Sequence, residues 1–135
     1  MIGLSALGGC TDWEETFREF RRVLKPAGHL LFSIGHPFMD LTHFDRVDYF
    51  QREWVTDVWK KGEVGTIEMH FVSRPLSEVV NATTAFFTLL GVEEPRPIPE
   101  FLEQFPHRAD QYAYLATRPH FLIVRAMNPE RRDGD

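Results

Sequence analysis

The sequence predicts an α/β domain built on a central apolar strand covered by helices. Three stretches predict it. Residues 12–34 read as an amphipathic helix, a Pro/Gly turn and a buried strand; residues 75–90 read as a second amphipathic helix; and residues 120–127, HFLIVRAM, form a continuous apolar run. A nearly unbroken apolar strand fed by a helix is the pattern of a sheet buried on both faces, as in half of a crossover unit.

Taken in order, residues 1–10 are small and apolar and read as an N-terminal arm. In the first helix, Trp13, Phe17, Phe20 and Leu24 fall on one face. Thr11 with Glu14, or Asp12 with Glu15, offers an N-cap followed by a carboxylate three residues on. Lys25 suits the negative end of the helix dipole, Pro26 stops the helix, and Gly28 frees the turn. Leu30, Leu31, Phe32 and Ile34 are then the strand.

Residues 35–61 read as an irregular aromatic loop or lid, with Tyr49, Phe50, Trp54 and Trp59 fitting a helical turn or two. Such aromatics serve either packing or substrate stacking. Residues 64–73 alternate as a half-buried strand. In 75–90, Leu76, Val79, Val80, Thr83, Phe86, Phe87 and Leu90 make an apolar stripe, with Pro75 in the first turn and Gly91 as the C′ residue. Residues 98–119 are an insertion with two short helical patterns, one around Phe101 and one around Tyr112. Residues 128–135 read as a solvated tail.

The 135 residues make one domain, 1–135, with 43% hydrophobic and 13% aromatic content, enough to bury a core. Fifteen basic and twenty acidic residues give a net charge of −5 without a basic stripe, which argues against nucleic acid as a partner. The single Cys10 excludes an internal disulfide and fits a reducing, cytoplasmic setting. No apolar run has the length of a membrane span. His36, His43, Asp45 and Asp48 match no compact ligand spacing, so no metal is expected.

The stretch FREFRRVLKPAGHLLFSIGHPF, with RVLKPAG at Arg22–Gly28, resembles the segment leading into the fifth strand of class I S-adenosylmethionine-dependent methyltransferases. Ala27 replaces the first of two glycines usual there. SRPLSEVVNATTAFFTLLGVEEPRP resembles the helix before that family's sixth strand, and Glu94-Pro95-Arg96-Pro97 stands where the family has E-P-R-P. The final PHFL strand resembles one that runs antiparallel between its neighbours. The resemblance implies a partial Rossmann-like methyltransferase fold with a mixed sheet, comprising the C-terminal half and beginning near the end of the fourth strand.

What the resemblance implies for function follows from what this half contains. The family holds its cofactor through a glycine-rich loop after the first strand and an acidic residue closing the second, and neither is present. S-adenosylmethionine is the expected cofactor, with Ser5, Ala6 and Leu7 as its remaining contacts and its binding by this chain alone in doubt. His36 is the candidate base for the acceptor, and its alternative part is a strand-end imidazole bonded to backbone. Phe38, Trp54, Arg74 and Arg96 are candidate substrate contacts, the two arginines for an anionic group; as an alternative, the arginines form surface or helix-end ion pairs. The expected protein is a truncated or split methyltransferase of a small molecule, paired with a second copy or with a separate chain carrying the first half. The alternative is a non-catalytic ligand-binding or dimerisation module on the same fold; a small α+β enzyme of another class ranks last.

Overall fold

A computed structural model describes residues 2–4, 12–46, 48–60 and 62–129, and for 2–4 the backbone alone. Its elements in chain order are β1 (Ile2–Leu4), α1 (Trp13–Val23), β2 (His29–Gly35), α2 (Pro37–His43), β3 (Glu53–Lys60), β4 (Thr66–Ser73), α3 (Leu76–Phe86), β5 (Thr88–Glu93), α4 (Glu100–Gln104), α5 (Ala109–Thr117) and β6 (Phe121–Met127). Four strands form one sheet in the order β1-β2-β6-β5. β1 runs parallel to β2, while β6 is antiparallel to both β2 and β5. β3 and β4 form a separate two-stranded arm.

The first helix starts where its chemistry says it should. Asp12 is the N-cap, and its carboxylate accepts the Glu15 N–H at 2.9 Å. Glu14 and Glu15 occupy the first turn and Arg21 and Arg22 the last, each sign matched to the helix dipole. Phe17 is fully buried, and its ring centroid lies 5.5–6.4 Å from those of Trp13, Phe20, Phe32, Phe86 and Phe87. These rings join α1, β2 and α3, and Leu30, Val79, Leu122, Val124 and Ala126 complete the core. Burying each large apolar side chain contributes about 1.5–3 kcal/mol.

At the end of α1 the chain reverses through Lys25–Gly28. The Gly28 N–H donates to the Lys25 carbonyl at 2.8 Å, and Ala27 sits at φ 58°. Positive φ after Pro26 is the mark of a type II turn, which favours glycine there. Asn128 holds the same corner from the far end of the chain. Its side-chain amide donates to the carbonyls of Arg21, Leu24 and Lys25, the otherwise unpaired end of α1.

Several expectations need correction. The stretch 35–61 is not an irregular loop. It contains α2 and β3, and Trp54 and Trp59 lie on a strand because β3 pairs with β4 from Glu53↔Ser73 to Lys60↔Thr66. The alternation at 64–73 is real, yet Ile67 and Met69 are exposed, since the arm extends away from the core. β2 is buried on one face only: Leu30 and Phe32 are buried, whereas Leu31 and Ser33 are half-buried. The helix of 75–90 stops at Phe86, and Leu89–Val92 belong to β5, with Gly91 at a register shift opposite Arg125 rather than capping a helix. Asn128 is buried, so the solvated tail starts later than expected. Ser5, Ala6, Leu7, Cys10 and Thr11 lie outside the described residues.

The left-handed Ala27 gives a direct test of the turn. Ala27→Gly removes a backbone cost of about 1–2 kcal/mol and adds unfolded-state entropy worth about 0.4–1 kcal/mol. The expected net is a stabilisation of about 0.5–1 kcal/mol, read by urea denaturation; a loss of stability would contradict this backbone geometry.

Candidate active site

The carboxyl end of β2 is where an α/β sheet places ligands. Here the strand runs through Gly35 into α2, whose N-cap is His36 with Pro37 in the first turn. The His36 Nδ1 accepts the Phe38 N–H at 3.1 Å. With Nδ1 an acceptor, Nε2 carries the proton and donates to Glu94 Oε1 at 2.7 Å. Both ring nitrogens are engaged, so the imidazole has no lone pair to take a proton from a substrate. Its geometry is that of the alternative reading, a strand-end imidazole bonded to backbone, and it ties α2 to the segment after β5.

A cavity of about 660 Å³ opens beside this junction. Ile34 and Gly35 of β2 and Met39 and Asp40 of α2 form its floor. Asp57 and Trp59 of β3, with Met69 and Phe71 of β4, form a wall, and His120 and Phe121 close the β6 side. The lining is mostly apolar and aromatic with a few polar groups, which is the usual make-up of a small-molecule site.

Asp40 is its most unusual member. It is buried, and a Cβ on Gly35 would come within 3.1 Å of its Oδ1, a tight approach that would push the carboxyl by a few tenths of an ångström. Burial pushes this carboxyl above the usual aspartate range, partly offset by the Ser73 hydroxyl, Arg46, His36 and His43. Behind it lies Arg46, which donates to Glu53 at 3.0 Å, to the Asp48 carbonyl at 3.1 Å, and to Ser73 Oγ and the Gln51 carbonyl. Across the cavity the Trp59 indole N–H donates to Asp57 Oδ2 at 2.5 Å, and His43 Nε2 lies 3.8 Å from Asp57 Oδ1. Partial burial and then His43 hold His120 below the usual imidazole range, with Asp57 opposing.

The residues expected to contact substrate are not gathered here. Phe38 is exposed on α2, and Trp54, 60% exposed, lines a separate groove with Arg46 and Glu53. Arg74 is buried, lies 4.8 Å over the Trp13 ring, and donates to Glu78 at 3.2 Å and to the Val72 carbonyl at 3.3 Å. It borders a wider groove of about 770 Å³ over the starts of α1 and α3, where Arg52 also pairs with Glu78. Arg96 is exposed in the segment after β5. Asp40, His120, Phe71 and Phe121 were missed. Pro37 at the start of a helix that would carry Asp40 and His43 was the one signal that could have found the floor. Among the described residues no group of His, Cys, Asp and Glu is arranged to hold a metal ion, and no helix is long and apolar enough to cross a membrane.

No protein-family model matches the chain, and no curated protein does. Among solved structures, a protein named provisionally as an S-adenosylmethionine-dependent methyltransferase, from Listeria monocytogenes, superposes with a TM-score of 0.71 at 24% identity. The match covers 94% of this chain and 60% of that one. An S-adenosylmethionine-dependent methyltransferase from Mesorhizobium loti gives a TM-score of 0.62 at 21% identity over 93% of this chain and 59% of its own. At these identities the likeness is one of fold, and the chain spans about three-fifths of the length of the structures it matches.

Asp40 gives the site a pH signature. The folded state holds the Asp40 proton more tightly than the unfolded chain, so its contribution to stability falls as pH rises from the ordinary aspartate range through the raised folded value. The wild type should therefore be more stable relative to Asp40→Asn at about pH 4 than at about pH 7 in urea denaturation. A wild type that gains on the variant as pH rises would contradict the burial of this carboxyl.

Proposed function

We propose that this chain is the acceptor-binding portion of an S-adenosylmethionine-dependent methyltransferase acting on a small molecule. The observation that carries the reading is the aromatic cavity at the carboxyl end of β2, in a chain whose solved structural neighbours are named as such methyltransferases. Methyl transfer asks little of side chains beyond proximity and alignment, because the bound sulfonium supplies an activated methyl group. A preformed cavity of this size is suited to that positioning work.

The described residues do not by themselves make up a cofactor cradle. They include no glycine-rich turn after a parallel strand and no carboxylate placed for a ribose. Ser5, Ala6 and Leu7, just past the β1 backbone, remain the proposed cofactor edge, and a second copy or a separate chain carrying the first half would supply the other contacts. The acceptor contacts proposed are Asp40, Trp59, Phe71 and Phe121, in place of Phe38, Trp54, Arg74 and Arg96, while His36 positions α2. A cytoplasmic setting goes with this reading. The second reading, a non-catalytic ligand-binding or dimerisation module, is favoured by the exposed apolar residues of the arm, Trp54, Val58 and Val64 among them.

Calorimetric titration of S-adenosylhomocysteine into the purified chain separates the two. A partial cofactor edge predicts weak saturable binding, with a Kd on the order of 1 mM, about 4 kcal/mol. Absence of any saturable heat at several times that concentration would overturn the methyltransferase reading for this chain and leave the module.

A further inference from the structure

From the charge and chemistry of its walls, we infer that the cavity selects a small aromatic or apolar amine, with Asp40 and Asp57 as the anionic contacts for its nitrogen. The inference rests on reading the cavity as the acceptor site and names the acceptor's class.

Three observations carry it. First, the lining includes two carboxylates, Asp40 from α2 and Asp57 from β3, and no lysine or arginine. The nearest guanidinium, Arg46, is spent: its side chain is 1% exposed and is bonded to Glu53, Ser73 and two backbone carbonyls. Arg74 and Arg96 lie outside the lining, and the three histidines that line it, His43, His70 and His120, are its remaining basic groups, so an anionic ligand would meet two acids with no lysine or arginine to receive it. Second, Phe44, Trp59, Phe71 and Phe121 line the same space, and aromatic faces attract cations while covering an apolar body. Third, both carboxylates are held in place. The Trp59 indole N–H fixes Asp57, and burial against Gly35 holds Asp40.

A buried carboxyl that resists ionisation is one that a ligand cation would satisfy. The charged and polar groups facing Asp40 are Arg46, Ser73, His36 and His43. The floor would thus bind an ammonium or a nitrogen-bound hydrogen most strongly once Asp40 is ionised, and more weakly as pH falls.

The test is calorimetric or NMR titration of the full chain with phenethylamine, phenylpropanol and phenylpropanoate, which differ in charge at similar size. The expected order is amine first and carboxylate last, with the amine about ten-fold tighter than the carboxylate near neutral pH. Asp40→Asn should bring the ratio close to one. Asp57→Asn, a partly exposed position on the β3-β4 arm outside the aromatic core, should narrow it without abolishing it. Equal or reversed affinities in the wild type, no binding of the amine at millimolar concentration, or an unchanged ratio in both variants would overturn the inference. Failure here with intact S-adenosylhomocysteine binding removes the ligand class and leaves the proposed function, whereas amine preference without that binding does the reverse.

Discussion

Arg46 is the interaction on which the site depends. It follows Asp45, which turns the chain at φ 51°, and its N–H closes back on the Leu41 carbonyl of α2. From there the guanidinium reaches the start of β3 through Glu53, the end of β4 through Ser73, and the intervening loop through two carbonyls. A planar fork with five donors is the side chain suited to this, since each bond runs in a fixed direction. Burying a guanidinium costs several kcal/mol unless its donors are satisfied, and here they are met from four directions. The knot fastens the β3-β4 arm beside the end of β2, and that placement is what turns a strand end into a cavity.

Beneath the cavity the frame is held by apolar packing. Phe17 meets rings from its own helix, from β2 and from both ends of the α3–β5 junction, so the strand that carries Gly35 is set against α1 and α3 by one aromatic cluster. The two ends of the chain's described core meet at the turn after α1, where Asn128 gives its amide to three carbonyls. Tyr49 plays a similar part for α3: its hydroxyl accepts the Leu76 N–H at 2.9 Å, a helix-end donor that Pro75 has no side chain to meet.

Local chemistry made much of the frame legible in the sequence. The 3.6-residue spacing of Trp13, Phe17, Phe20 and Leu24, the Asp12 cap and the Pro26 stop all act within a few residues, and each appears where it was read. The two short helices of the insertion were also visible from their spacing. The arm was not, because Trp54 and Trp59 also fit a helical spacing, and only pairing with β4 decides the strand. The candidate site was the least legible part. Asp40 is buried by contacts with Gly35, Ser73 and Arg46, and the last of these is committed by groups up to 27 residues away. His36 and Arg74 were visible as polar residues at promising positions, yet partners distant in sequence or hidden by packing, such as Glu94 and Trp13, occupy them.

The arm is thus fastened by Arg46 and forms a wall of the site without being part of the aromatic core. Amide hydrogen exchange of the wild type and Arg46→Met measures this most directly. The expected result is faster exchange in β3 and β4 of the variant, with α1, β2, α3 and β6 keeping their protection. Equal acceleration throughout the chain, or unchanged exchange in the arm, would contradict it.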